Sequence, residues 1–494
     1  MQTGVHPLGE EIMSLIGLDF GTHTTSLALW QDEKDTTEVV ADDLGSRTIP
    51  CTVAYRGDEI IVGQAASSQQ HKNALNTFED IRSMLLDASK DSVHVPQLEK
   101  DITVQELGSH FFRNIHNQIK QQVGKAVRDC VISVPRSFSV ANNLEVQKRL
   151  IESAQAGGIR IKSMIDDATS TLMAYGFDDA EKYPSAKVLV VDIGWSLTDI
   201  SLYNVSSGLL FYVNNLTTTE ICGKVLVKNL EGHCSKDFER KAKVSCLDNK
   251  KSMIRLNREC EAALKALSTG TEATIDIDSL CEGMDYSTKI SRARFEDLQT
   301  IPFMQLKKAI TDLLTKNKVD TESISDVCMA GGFTAVPRIL ASIKATFPNA
   351  NFPRGRFEYS EAQCIGAALH GSLLSKQGLL DKAPTTSPIS PCTTKAIRIS
   401  GKDSTSCLTV IEANSVLPIA VTVKASAAQE SGFFRVLADD SHIADMVFTV
   451  EGTAAGKAVP IDISVSLNEE GEINIAVTDA TSKAELASLV IPKA

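Results

Sequence analysis

The chain has 494 residues, 43% hydrophobic and 23% charged, a balance that supplies large cores and, as a prior, about two to four domains. A formal net charge of -12 argues against direct, non-specific binding to DNA or other nucleic acid, while leaving room for one local basic patch. The 11 cysteines are scattered, with no C-x-x-C pair and no H-E-x-x-H segment, which excludes a zinc framework and reads as free thiols in a reducing compartment.

Met1 to Met13 holds no basic region ahead of an apolar run, so no secretory leader is expected. No stretch reaches the ~18 apolar residues of a membrane span. A cytoplasmic protein without membrane contact is the expectation. Ser14 to Trp30 then reads S-L-I-G-L-D-F-G-T-H-T-T-S-L-A-L-W, a strand, a Gly turn and a second strand. Phe112, Ile115, Ile119 and Val123 fall on one helical face, Cys130 to Val134 is a short buried strand, and Asn143 to Ala156 is a helix stopped by Gly157-Gly158. Lys187 to Tyr203, K-V-L-V-V-D-I-G-W-S-L-T-D-I-S-L-Y, repeats the grammar of the first hairpin, so two related halves are expected to face each other. Met253 to Leu267 is an amphipathic helix, with Glu261 and Lys265 beside its apolar stripe. Asp326 to Pro337 runs from a strand through Gly331-Gly332 into a new helix. Alternating strands and helices predict an α/β fold with a largely parallel sheet.

Beyond Gly378 the composition changes. Ala383 to Thr394 is a polar run with three prolines, an extended linker. Ile419, Val421 and Val423 alternate with polar residues, as do Val459, Ile461, Ile463, Val465 and Leu467, and Ile473, Ile475 and Val477 follow a turn at Gly471. That pattern predicts a small antiparallel β domain.

The two D-x-G turns carry the chemistry. Glycine lets the backbone approach a phosphate, and successive N–H groups at such a turn point at the anion. Asp19 and Asp192 would meet repulsion from phosphate, so their natural role is to hold Mg²⁺ through water. Two facing turns would clamp a triphosphate tail, and the strand-Gly-Gly-helix at Gly331 offers backbone for an adenosine.

These segments resemble the DnaK-type seventy-kilodalton heat-shock chaperones. The resemblance rests on I-G-L-D-F-G-T-H-T-T-S (16–26), D-D-L-G-S-R-T-I-P (42–50), I-S-R-A-R-F-E-D-L (290–298) and A-G-G-F-T-A-V-P (330–337). It implies an actin-like (ribonuclease H-type) two-lobed nucleotide-binding domain over residues 1–380. A Pro-rich linker at 381–395 and a truncated β-sandwich substrate-binding domain at 396–494 would follow. It also implies ATP contacts from Gly21, Thr22, His23, Thr24, Gly194, Glu261, Lys265, Ser268, Gly331 and Gly332, with Asp19 and Asp192 at the water-mediated Mg²⁺ positions. His23 is expected to give its backbone N–H rather than act as a base, since the family has a hydroxyl residue there.

Departures from the family concentrate on hydrolysis. Its D-A-K-R-L is Glu79-Asp80-Ile81-Arg82-Ser83 here, so Ile81 stands at the catalytic lysine. Losing a charge that stabilises a transferring phosphoryl group costs ~10²–10³ in rate. Asp167 keeps a carboxylate one methylene shorter than the family's glutamate. In the second turn Trp195 replaces a glycine and Leu197 a threonine; the indole either packs between the lobes or blocks approach to the γ-phosphate. Leu264, Phe333 and Ala335 replace a lysine, a serine and an arginine around the adenosine. No residue is therefore assigned to catalysis; Ile81, Asp167 and Leu197 are its degenerate positions. The family's acidic-leucine linker is replaced by the Pro-rich run, no helical lid is expected after the β domain, and the first β-domain loop shortens to Gly401-Lys402-Asp403-Ser404. The expectation is an atypical, lidless chaperone subunit, similar to that of the ribosome-associated complex. It would pair stably with a J-domain protein and reach ribosomes and nascent chains through it. It would assist a second, ordinary heat-shock chaperone, with ATP bound structurally, hardly hydrolysed, or absent. An ATP-cycling foldase and a small-molecule kinase on the same superfamily fold are the alternatives.

Overall fold

The strand Ser14–Phe20 (β1) buries Ile16, Leu18 and Phe20 on one face and Leu15 on the other, so it lies inside a sheet covered on both sides. The computed structural model describes residues 14–31, 34, 36–42, 45–124, 127–136, 144–179, 181–206, 209–376, 380, 397–401, 407–411, 419–427, 431–438, 441–450, 458–468 and 472–491. The chain divides into two compact units, one formed by Met1–Leu210 and Asn214–Ile389, the other by Phe211–Val213 and Ser390–Ala494.

In the first unit β1 lies mid-sheet. The order is Arg160–Asp166, Asp129–Val134, β1, β2 (Thr24–Gln31) and β3 (Thr36–Val39), with Ile49–Pro50 also against β2. β1 runs parallel to Asp129–Val134 and antiparallel to β2. A second sheet orders Leu209–Thr218, Thr198–Ser206, Ser185–Ile193 and Asp326–Ala330. Its Ser185–Ile193 strand is antiparallel to Thr198–Ser206 and parallel to Asp326–Ala330. The two hairpins match in register as well as in sequence. Asp19 pairs with Ser26 and Asp192 with Asp199, each at the penultimate pair before its turn.

Helices cover the sheets. Val104–Val123 buries Leu107, Phe111, Phe112, Ile115 and Ile119; Thr103 caps its start by accepting from the Glu106 N–H at 3.1 Å, and Gly124 at φ 72° closes it. Leu144–Ala156 is the expected second helix; the predicted first residue, Asn143, lies outside the described residues. Lys250–Thr269 starts three positions before the predicted Met253, capped by Asn249, and buries Leu256, Cys260, Ala263, Leu264 and Leu267. Ala362–Lys376 packs against β1 and against the helix Asp167–Ala174. At these crossings Gly17 and Gly366 leave no room for a methyl: a Cβ would overlap the Cys364 and Ser170 carbonyls respectively. Among the described residues no helix is long and apolar enough to cross a membrane.

The second unit holds two four-stranded antiparallel sheets. One orders Cys407–Ile411, Ile397–Ser400, Ser431–Ala438 and Ser441–Thr449; the other Ile419–Ala427, Val459–Leu467, Ile473–Asp479 and Glu485–Ile491. Alternate residues of both, among them Val436, Val465, Ile475 and Val477, enter one core. The predicted hairpin is present, with Val465 opposite Ile475. Every element among this unit's described residues is a strand. The predicted linker, 381–395, and Lys402 to Ser404 lie outside the described residues.

Candidate functional site

The turns of the two hairpins meet at one cavity of about 340 Å³. Of the residues expected to hold nucleotide, Gly21, Thr22, His23, Thr24, Gly194, Lys265, Ser268, Gly331 and Gly332 line it, together with Asp19, Asp192, Asp167 and Leu197. Glu261 does not. It lines the adjoining cavity of about 600 Å³, with its Oε2 3.2 Å from His23 Nε2. Ile81 is fully buried in the core beside the first sheet.

Two glycines are imposed by the geometry. A Cβ on Gly21 would overlap the Thr24 carbonyl that closes its turn. Gly331 sits at φ 77°, with the Asp192 carboxylate and Ile193 carbonyl where a side chain would go. The Asp192 turn is pinned from outside. Gly194 N–H donates to the Leu197 carbonyl at 3.0 Å, while Gly223 and Lys224 N–H groups donate to the Gly194 and Trp195 carbonyls at 2.9 and 2.8 Å. These last two donors open the helix Gly223–Ala242, where unpaired N–H groups seek acceptors.

Trp195 stands between the two turns. Its indole stacks on the His23 ring at 4.1 Å and 18°, and leans on Phe333 at 5.9 Å. Ser196 Oγ donates to Thr22 Oγ1 at 3.0 Å beside it. His23 and Trp195 line both cavities, so the stack partitions the inner space from the outer one.

One side chain that sequence reasoning passed over changes the electrostatics. Arg82 lines the inner cavity, buried, with Nη1 donating to the Phe20 carbonyl at 3.0 Å. Its neighbour Asp80 adopts φ 53° and caps the short helix Ile81–Leu86 by accepting from the Ser83 N–H at 3.1 Å. That turn sends Ile81 into the core and leaves Arg82 at the cavity. The signal was present: Arg82 matches the arginine of the family's D-A-K-R-L.

Three carboxylates face this one guanidinium. Burial, then the Asp167 charge, pushes Asp19 up from 3.8 to about 8, against the pull of Arg82. Burial raises Asp167 to about 6; Arg82 and a 2.6 Å hydrogen bond donated by Ser133 Oγ restrain it. Asp192 is held well above the usual carboxylate range, by burial first and then by Asp167 and Asp19. Gln363 Nε2 donates to Asp192 at 3.0 Å, yet Gln363 Oε1 and Arg82 Nε are buried without partners. Unmatched negative charge beside orphaned polar atoms suits a hydrated cation and a phosphate chain. Among the described residues no group of three or more His, Cys, Asp or Glu has the geometry to hold a metal.

A family profile described as Hsp70 protein matches residues 15–490. The chain is similar to a heat shock protein of Pyricularia oryzae, 28% identical over 73% of this chain and 61% of that protein. It is similar to the heat shock cognate 70 kDa protein 3 of Dictyostelium discoideum, 25% identical over 95% of this chain and 79% of that protein. It is 26% identical to a ribosome-associated molecular chaperone of Saccharomyces cerevisiae, over 74% of this chain and 62% of the relative. The matched region thus spans about three fifths of the Pyricularia and Saccharomyces proteins.

Proposed function

From the premise that the chain belongs to the Hsp70 family, we propose that it is an atypical chaperone subunit that holds ATP with little or no hydrolysis. On this reading the two hairpin-bearing sheets are the lobes of an actin-like domain, residues 1–380 with the linker at 381–395, and 396–494 is a β-sandwich docking domain. The protein acts in the cytoplasm, paired with a J-domain protein and serving nascent chains at the ribosome. The similarity to a ribosome-associated molecular chaperone of Saccharomyces supports the setting.

The observation that carries the reading is the stack of Trp195 on His23 between the two phosphate turns. The turns that bind are retained; the groups that hydrolyse are altered. Thr22, Gly21 and Gly331 keep a polar, close-approach surface, and Lys265 and Ser268 remain at the nucleoside end. Mg²⁺, when bound, supplies charge neutralisation for the phosphates. Asp19 and Asp192 would hold its water shell, and Gln363 orients Asp192. Leu197 brings no hydroxyl to the second turn, and Ile81 is withdrawn into the core.

An ATP-cycling foldase is the second reading, favoured by Arg82, which keeps one cation beside the three carboxylates. Single-turnover hydrolysis by the purified chain separates the two readings. The partner assignment is tested by affinity capture from cytosol with mass spectrometry. A J-domain protein and ribosomal subunits are expected, and their joint absence removes that assignment.

A further inference from the structure

β3 is the outer strand of the first sheet, paired with β2 and with no other described strand. The Val40 N–H donates to the Leu27 carbonyl at 2.9 Å, which fixes the alternation along the pair. Glu38 opposite Leu29 and Thr36 opposite Gln31 are then the hydrogen-bonded pairs, and Thr37 and Val39 turn their N–H and C=O groups away from β2. An edge of this kind is a template for another extended chain.

This edge opens on a cavity of about 620 Å³ walled by Pro353-Arg354-Gly355-Arg356-Phe357. Arg47, Lys182, Arg354 and Arg356 line it, against only two carboxylates, Glu38 and Glu361. Both carboxylates are occupied: Glu38 accepts from Gln31 Nε2 at 2.6 Å, and buried Glu361 pairs with Arg47 at 3.0 Å. Arg354 and Arg356 are exposed, and no ion pair engages either among the described residues. In a chain of net charge -12 this is a local reversal of sign. The two arginines stand two positions apart, the period at which an extended partner repeats its side chains on one face.

We propose that this cavity docks an extended acidic segment of a partner protein, added as a further strand on β3, with its carboxylates meeting Arg354 and Arg356. The open strand edge supplies main-chain hydrogen bonds, and the basic wall supplies the choice of sign. A phosphate compound would use the cations and leave the strand edge idle, so the peptide is the occupant that uses both. This surface is distinct from the nucleotide cavity, and the proposal stands whether or not ATP is hydrolysed.

The test uses the full chain and a fluorescein-labelled peptide of about eight residues alternating Asp and Val, with a Lys-Val counterpart as control. The acidic peptide is expected to bind, the basic one not, and amide exchange at residues 36–39 to slow on binding. Reversing both charges, Arg354→Glu with Arg356→Glu, is expected to weaken binding by at least ~10-fold. Thr37→Pro removes only an outward N–H, a change an edge strand tolerates, and it too weakens binding while the melting temperature stays near wild type. Absence of binding by the wild-type chain overturns the proposal. So does binding that survives the charge reversal. Displacement of the peptide by tripolyphosphate, with Thr37→Pro binding like wild type, would mark a phosphate pocket and overturn it equally.

Discussion

Ile81 and Arg82 are neighbours with opposite fates, one in the core and one at the cavity. Ile81→Lys alone is therefore expected not to restore turnover. It places an ammonium among buried apolar side chains and should destabilise the fold by about 3 kcal/mol, read from denaturant midpoints. A stable variant with ATPase at family level would contradict this. Asp19, raised to about 8, gives a second prediction. A carboxyl whose folded pKa lies above its unfolded value near 3.8 adds stability that is full below that value and fades as pH rises to about 8. The ligand-free chain should lose stability across that window. Binding of Mg²⁺-ATP at pH 7 should expel protons, seen in calorimetry as a heat that depends on the buffer's ionisation enthalpy; a buffer-independent heat would remove Asp19 from the site. That Asp19, Gly21, Asp192, Gly194 and Gly331 would line one cavity was legible, because two matching D-x-G turns imply loops that face each other. The stack of Trp195 on His23 was not, since the repeat implied that the two turns face each other but not which of their side chains meet. Ser196 and Thr22 meet across 174 residues. Arg82 was legible only through its match to the family's arginine, since the left-handed turn at Asp80 that leaves it at the cavity has no mark in the sequence.

Elements were legible where burial imposes a period. The helix stripe from Leu256 to Leu267 and the alternation from Val459 to Leu467 each report one buried face, and both elements are present. The start of Lys250–Thr269 was set by the Asn249 cap, which hydrophobic spacing cannot locate. What a period cannot reveal is how closely elements approach. Gly366 lies within a helix, where glycine costs ~1 kcal/mol against alanine in isolation. Gly366→Ala should nonetheless destabilise, by about 2 kcal/mol or more, because the added methyl meets the Ser170 carbonyl in the facing helix. A thermal midpoint equal to or above wild type would show that these helices do not pack this closely. The β3 edge is the same lesson at a sheet margin: four residues with no outward partner strand among the described residues, legible only once the strand order is known.

The chain as a whole is acidic, with a net charge of -12, and on the proposed reading its cleft holds Mg²⁺-ATP. A ligand that binds only the folded state stabilises it by mass action, about 2.7 kcal/mol at a hundredfold excess over Kd. Mg²⁺-ATP should therefore raise the melting temperature without being consumed, and Trp195 should report its arrival. The chain has 2 tryptophans, and only Trp195 stands at the cavity; Trp30 lies buried in the sheet, so a nucleotide-dependent change in emission should vanish in Trp195→Phe. The most direct measurement is a single-turnover experiment in which the purified chain, in excess over radiolabelled ATP with Mg²⁺, is sampled for bound ATP and ADP over time. The account predicts ATP that is bound and remains intact, with hydrolysis at least ~10²-fold slower than for an Hsp70 that keeps the lysine and threonine; conversion to ADP at the rate of that control would contradict it.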